Sequence, residues 1–112
     1  MEYYTVRNQV PTQTRFHVFL QDRMNKTDLP FLSISELSGL MASKEVSPVE
    51  ATEAYLERIE ALDGRFHAYV TVTAEEALKA AKAAEQEILH GNHRGPMHGV
   101  PVAVKDQIQT AG

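Results

Sequence analysis

Lys105 and Asp106 follow directly on an unbroken apolar run, Val100, Pro101, Val102, Ala103 and Val104, and the turn-forming stretch Gly95, Pro96, Met97, His98 and Gly99 precedes it. A lysine amine takes a proton only when it is neutral, and a partly desolvated pocket favours the neutral form. On an open surface the same side chain lays its methylenes along the protein and carries its charge to water. In open α/β sheets ligands gather beyond the carboxyl ends of the strands, where this ionisable pair falls. Position alone leaves Lys105 open to both readings, with the surface one favoured, and Asp106 is expected to order the following loop.

Other residue types that could do chemistry have plainer roles. His90, His93 and His98 have the ligand type for a metal, but no carboxylates stand at the spacing of a closed site, and a histidine near a helix end is a favourable dipole partner. No metal site is expected from these histidines. The five serines, Ser33, Ser35, Ser38, Ser43 and Ser47, all fall in the first two helices or their caps. The absence of cysteine excludes a disulfide framework, a Cys-ligated zinc and thiol catalysis, and fits a reducing compartment.

The elements that must position Lys105 are marked by their starts. Ser33 with Glu36, Ser47 with Glu50, and Thr73 with Glu76 each have the spacing of a capping box, and Pro48 stands at a first helical position. Three helices are expected, over about 34–43, 48–61 and 74–90. The first presents Ile34, Leu37, Leu40 and Met41 to its neighbours. The second buries Tyr55, Leu56, Ile59 and Leu62 and stops at Gly64, and the third offers the small face Ala77, Ala81, Ala84 and Ile88 and closes at Gly91.

Between the second and third helices, residues 66–73 mix aromatic and β-branched side chains in the manner of a strand. Residues 100–104 read as a second strand, covered on both faces. The order is helix, helix, strand, helix, strand, and the fold class is α/β. Two strands and three helices can hardly close a layered sheet, so the chain is expected to be part of something larger. Residues 1–31 have no clear period and are expected to be a poorly defined extension, with a short strand or helical turn around 15–21.

Composition narrows the partners. The 112 residues carry a formal net charge of −4 with both signs interspersed, which leaves no basic stripe for direct nucleic-acid binding. No apolar run in the opening residues would serve as a leader or a membrane span, and the cytoplasm is the expected location.

The block from Gly95 to Gly112 resembles the lysine-bearing block of the amidase signature family, in which Gly-Pro-Leu-His-Gly-(Ile/Val)-Pro-Val-Ala-Val-Lys-Asp is followed by a short segment ending in a small residue and glycine. Met97 is the one mild departure. Residues 32–37, 45–50, 55–59 and 66–70 also resemble the family's opening helices and strand, so the likeness runs over about 32–112. It implies that residues 32–112 are the N-terminal part of an amidase-signature domain, with the first strands of its layered α/β/α sheet, incomplete here.

It further implies a Ser-Ser-Lys triad that cleaves amide C–N bonds, with Lys105 as its lysine and no metal or organic cofactor. The lysine takes a proton through a serine held by a cis peptide, and that serine activates the nucleophilic one. Both serines would lie in a Gly/Ser-rich segment beyond this sequence, and none of the five present matches that motif, so the chain alone is expected to be inactive. The partners implied are a small-molecule amide substrate, the remaining C-terminal part of the same enzyme, and either a second copy or the other subunits of a glutamine-dependent tRNA amidotransferase. The run His93-Arg94-Gly95-Pro96-Met97-His98-Gly99 and the N-terminal extension favour a stand-alone amidase over the A subunit of such an amidotransferase. A non-catalytic assembly module using the first two amphipathic helices is the reading of another class.

Overall fold

The computed structural model describes residues 25–111. A 3-10 turn, Lys26–Phe31, is followed by three α-helices: α1, Ile34–Ala42; α2, Pro48–Phe66; and α3, Ala74–Leu89. The expected turn or strand around 15–21 lies outside the described residues.

Two of the three capping boxes form as the spacing requires. The Glu36 amide donates to Ser33 Oγ at 3.2 Å while the Ser33 amide donates to Glu36 Oε2 at 2.8 Å. At α2 the Glu50 amide donates to Ser47 Oγ at 3.0 Å and the Ser47 amide returns the bond to Glu50 Oε2 at 2.8 Å. The third pair does not form, because Thr73 has ψ 63°, outside the extended region of a capping residue, and its side chain accepts no cap bond.

The helix ends are closed by backbone geometry. After α3, Gly91 takes φ 85°, its amide donates to the Ile88 carbonyl at 3.0 Å, and the Asn92 amide reaches the Glu87 carbonyl at 2.9 Å. This is a Schellman closure with glycine at the left-handed position. The same pattern ends α1, where the left-handed residue is Lys44 at φ 62° and the Glu45 amide donates to the Leu40 carbonyl at 2.9 Å.

At α2 the expected stop is passed. Gly64 lies inside the helix, which ends only at His67 in the left-handed conformation, φ 49°. The carboxylate of Asp63 then gathers the chain beyond, accepting the Ala68 amide at 2.7 Å and the Tyr69 amide at 3.1 Å.

The α/β expectation is corrected here, since the described residues are helical and form no strand or sheet, and so show none of the first strands of an α/β/α layer. Residues 67–73 have their first amides taken by Asp63 in place of a ladder partner. Residues 100–104 belong to no regular element, Val102 and Val104 are exposed, and no described segment exchanges strand hydrogen bonds with them. A strand exists only through pairing, so an apolar β-branched run without a neighbour stays an open segment.

The core gathers where the three helices meet. Leu37 and Met41 of α1, Ala51 of α2 and Ile88 of α3 are buried together, with Leu32, Val46 and Val100 packed against them. The buried stripe of α2 is Pro48, Ala51, Thr52 and Ala54, while Tyr55, Leu56, Ile59 and Leu62 are only half-buried. α2 and α3 pack on one another, and the small residues Ala51 and Ala54 of α2 and Ala81 and Ala84 of α3 are buried. Ile34, expected on the inner face of α1, is exposed.

The 3-10 turn docks on α2. Lys26 Nζ lies 2.6 Å from Glu57 Oε1 and 2.9 Å from Glu53 Oε2, and the Arg58 guanidinium covers the Phe31 ring at 4.5 Å from its centroid. Hydrogen bonds to Glu57 and then Glu53 hold the Lys26 ammonium above its ordinary pKa.

Candidate functional site

The segment that bears Lys105 is rooted in the helical core by three consecutive residues. His98 is buried. Its Nδ1 accepts the Arg94 amide at 3.0 Å, and its own amide donates to the Gly95 carbonyl at 3.0 Å. A neutral imidazole carries one proton, and a ring nitrogen that accepts an N–H cannot hold it. Nδ1 therefore carries no proton, and Nε2 lies 3.2 Å from Glu87 Oε2 on α3, 3.4 Å from Arg94 Nε and 3.3 Å from Arg94 Nη2. Arg94 folds back over the same carboxylate, with Nε 2.8 Å from Oε2. Both approaches to Glu87 lie off the hydrogen-bond axis, so charge attraction holds Arg94 to Glu87 and the neutral His98 ring packs against the pair.

Gly99 follows, at φ 85°. A β-carbon there would stand 2.6 Å from Pro48 Cγ and 3.3 Å from Met41 Sδ, so glycine is required both by the left-handed backbone and by the close approach of α1 and α2. Val100 then packs on the core cluster, and its amide donates to the Met97 carbonyl at 3.2 Å.

Beyond this root the chain is open. Lys105 and Asp106 are exposed, and the Lys105 carbonyl accepts the Ile108 amide at 2.9 Å to begin a turn. The amine of Lys105 has no ion-pair or hydrogen-bond partner among the described residues. The candidate serines of the first two helices are not brought to it as a cluster: Ser33 and Ser47 are spent as caps, and Ser43 Oγ donates to the Leu40 carbonyl at 3.1 Å.

The histidines are placed separately. His90 caps α3, its Nδ1–H donating to the Gln86 carbonyl at 2.6 Å. His93 and His98 have ring centroids 5.8 Å apart at a tilt of 42°. Among the described residues no group of three or more His, Asp or Glu is placed to hold a metal ion. No described helix is long and apolar enough to cross a membrane.

The Glu87–Arg94–His98 cluster was not legible in the sequence. Its members are separated by the helix end at Gly91, and no periodic spacing relates a residue on α3 to one in the turn that folds back beneath it.

Comparison with known proteins bears on this segment directly. The chain is 48% identical over 85 residues to the A subunit of the glutamyl-tRNA(Gln) amidotransferase of Moorella thermoacetica, covering 76% of this chain and 18% of that protein. It is 50% identical to the corresponding protein of Salinispora arenicola over 77% of this chain and 18% of the relative, and 53% identical to that of Geobacter sulfurreducens over 72% and 16%. The chain thus spans less than a fifth of the length of the curated relatives it matches. No solved structure matches it. The profile described as Amidase matches residues 50–112, which takes in α2, α3, the buried root at His98–Gly99–Val100 and Lys105. Over more than half its length, including the whole of the candidate site, this chain belongs to the Amidase family.

Proposed function

We propose that residues 32–112 are the N-terminal part of an amidase-signature domain and that Lys105 is the lysine of its Ser-Ser-Lys triad, in a longer protein that cleaves amide C–N bonds. The observation that supports this most is the placement of Lys105 five residues beyond a root pinned to all three helices, inside the region that matches the family. A proton acceptor needs a fixed origin and a dry surrounding. The root supplies the first. Lys105 is exposed on this chain, so the second would come from the part of the enzyme that carries the serines and the oxyanion donors.

In that arrangement the neutral Lys105 amine takes a proton from the bridging serine, which takes one from the nucleophilic serine as it attacks the carbonyl carbon. The amide C–N bond breaks as the leaving nitrogen is protonated, and water or ammonia then releases the acyl group. The 112-residue chain, which lacks the motif serines, is inactive by itself in this reading.

A second reading concerns the role of the same chemistry. The relatives named above are A subunits of glutamyl-tRNA(Gln) amidotransferases, which favours glutamine as the amide and other subunits as partners over a stand-alone amidase acting on small linear amides. The test is turnover of glutamine and of a simple carboxamide by the longer protein, with and without Lys105→Ala. A loss of about a thousandfold or more is expected, the scale on which triad members act. Turnover within tenfold of the unmodified protein would remove Lys105 from the mechanism.

A further inference from the structure

We infer that His98 is the positioning residue that fixes the direction in which the Lys105 segment leaves the helical core, an inference that rests on the reading of Lys105 given above. Three contacts pin three successive residues to different supports. His98 is tied to Glu87 of α3 and to the Arg94 amide, Gly99 is pressed against Pro48 and Met41, and Val100 sits on the core. Gly99 and Val100 set where the chain passes. The His98 ring sets its rotation, because Nδ1 accepts the Arg94 amide within the turn while Nε2 lies against Arg94 and against Glu87 of α3.

Beyond Val100 no described hydrogen bond corrects the path until the Ile108 amide meets the Lys105 carbonyl. Five residues reach at most roughly 17 Å, so a tilt of about 10° at the root moves the lysine by up to about 3 Å. Displacements of about 1 Å are enough to cost a catalytic group much of its effect. The contact that removes this tilt is Nδ1 of His98 accepting the Arg94 amide. Asparagine can place an acceptor oxygen where Nδ1 stands, whereas glutamine places its amide where Nε2 stands.

The chain has no cysteine, so paired spin labels can be introduced without background. Labels at Lys82→Cys on α3 and Val102→Cys, both exposed, report the angle of the segment. A narrow distance distribution is expected in the parent chain and in His98→Asn, and one broader by about twofold or more in His98→Gln. A narrow distribution in His98→Gln overturns the inference, as does a broad one in His98→Asn.

A second arm needs no variant of His98. Nitrogen-15 spectra of the parent chain should show an unprotonated Nδ1 and an Arg94 amide protected from exchange, and a protonated Nδ1 overturns the inference. In the longer protein His98→Gln lowers kcat with KM nearly unchanged, and His98→Asn restores it. If Lys105→Ala leaves turnover intact while the label distances behave as expected, the reading of Lys105 falls and the anchoring by His98 stands.

Discussion

Two of the left-handed residues, Gly99 and Lys44, are expected to respond to substitution in opposite directions. Gly99 is left-handed and has no room for a β-carbon between Pro48 and Met41. Gly99→Ala combines a steric overlap with an unfavourable φ and is expected to cost about 3 kcal/mol, read from a urea melt. Lys44 is left-handed without being glycine, at the position that closes α1. Its side chain is exposed and makes only a long contact, 3.5 Å, with the Leu89 carbonyl. Lys44→Gly is expected to stabilise the chain by up to about 1 kcal/mol in the same measurement.

The elements show how far a sequence can be read. The starts of α1 and α2 were legible because a capping box is a local chemical arrangement, complete within four residues. The end of α3 was legible at Gly91 for the same reason. The end of α2 was not: glycine inside a helix is tolerated at modest cost, and the competing stop came from Asp63 reaching forward to amides five and six residues away. The runs at 100–104 and 66–73 were read as strands, but Phe66 ends α2, His67 is left-handed and neither run is paired among the described residues, since pairing depends on neighbours that no local pattern supplies. At the site, the family likeness of the block that bears Lys105 was legible, while the contacts of His98 depended on a helix folding back over its own tail.

The cap of α1 also has a pH dependence with a definite sign. Hydrogen bonds from the Ser33 amide and then the Ser33 hydroxyl hold the Glu36 carboxyl below its ordinary pKa. A group whose pKa is lowered by folding contributes stability above its unfolded value, roughly 4.3, and that contribution disappears as pH falls through the lower folded value. The first turn of α1 is therefore expected to fray on acidification, seen as faster exchange of the Glu36 and Leu37 amides. Glu36→Gln, which can still accept the bonds but does not titrate, should remove that pH dependence.

At the scale of the whole molecule, stability is concentrated in one small cluster drawn from all three helices. Leu37, Met41, Ala51 and Ile88 are each buried to within a few per cent, and no helix has an apolar core of its own. Ile88→Ala is expected to cost about 2–5 kcal/mol, a large part of the stability of a chain this size. Because the cluster is shared, α1, α2 and α3 should lose amide protection together and not α3 alone. Separate loss of α3, followed helix by helix in an exchange experiment, would contradict a shared core.

The clasp at the end of α2 has a consequence for the lifetime of the chain. Asp63 and Gly64 form the dipeptide in which an aspartate carboxyl most readily closes on the following backbone nitrogen, giving a succinimide and then isoaspartate. That closure needs a pliable backbone and a free carboxyl. Here Gly64 lies within a helix, and Asp63 Oδ1 is engaged by the Ala68 and Tyr69 amides. The interaction that terminates α2 thus also shields its most vulnerable peptide link from chemical ageing for as long as the helix stays folded.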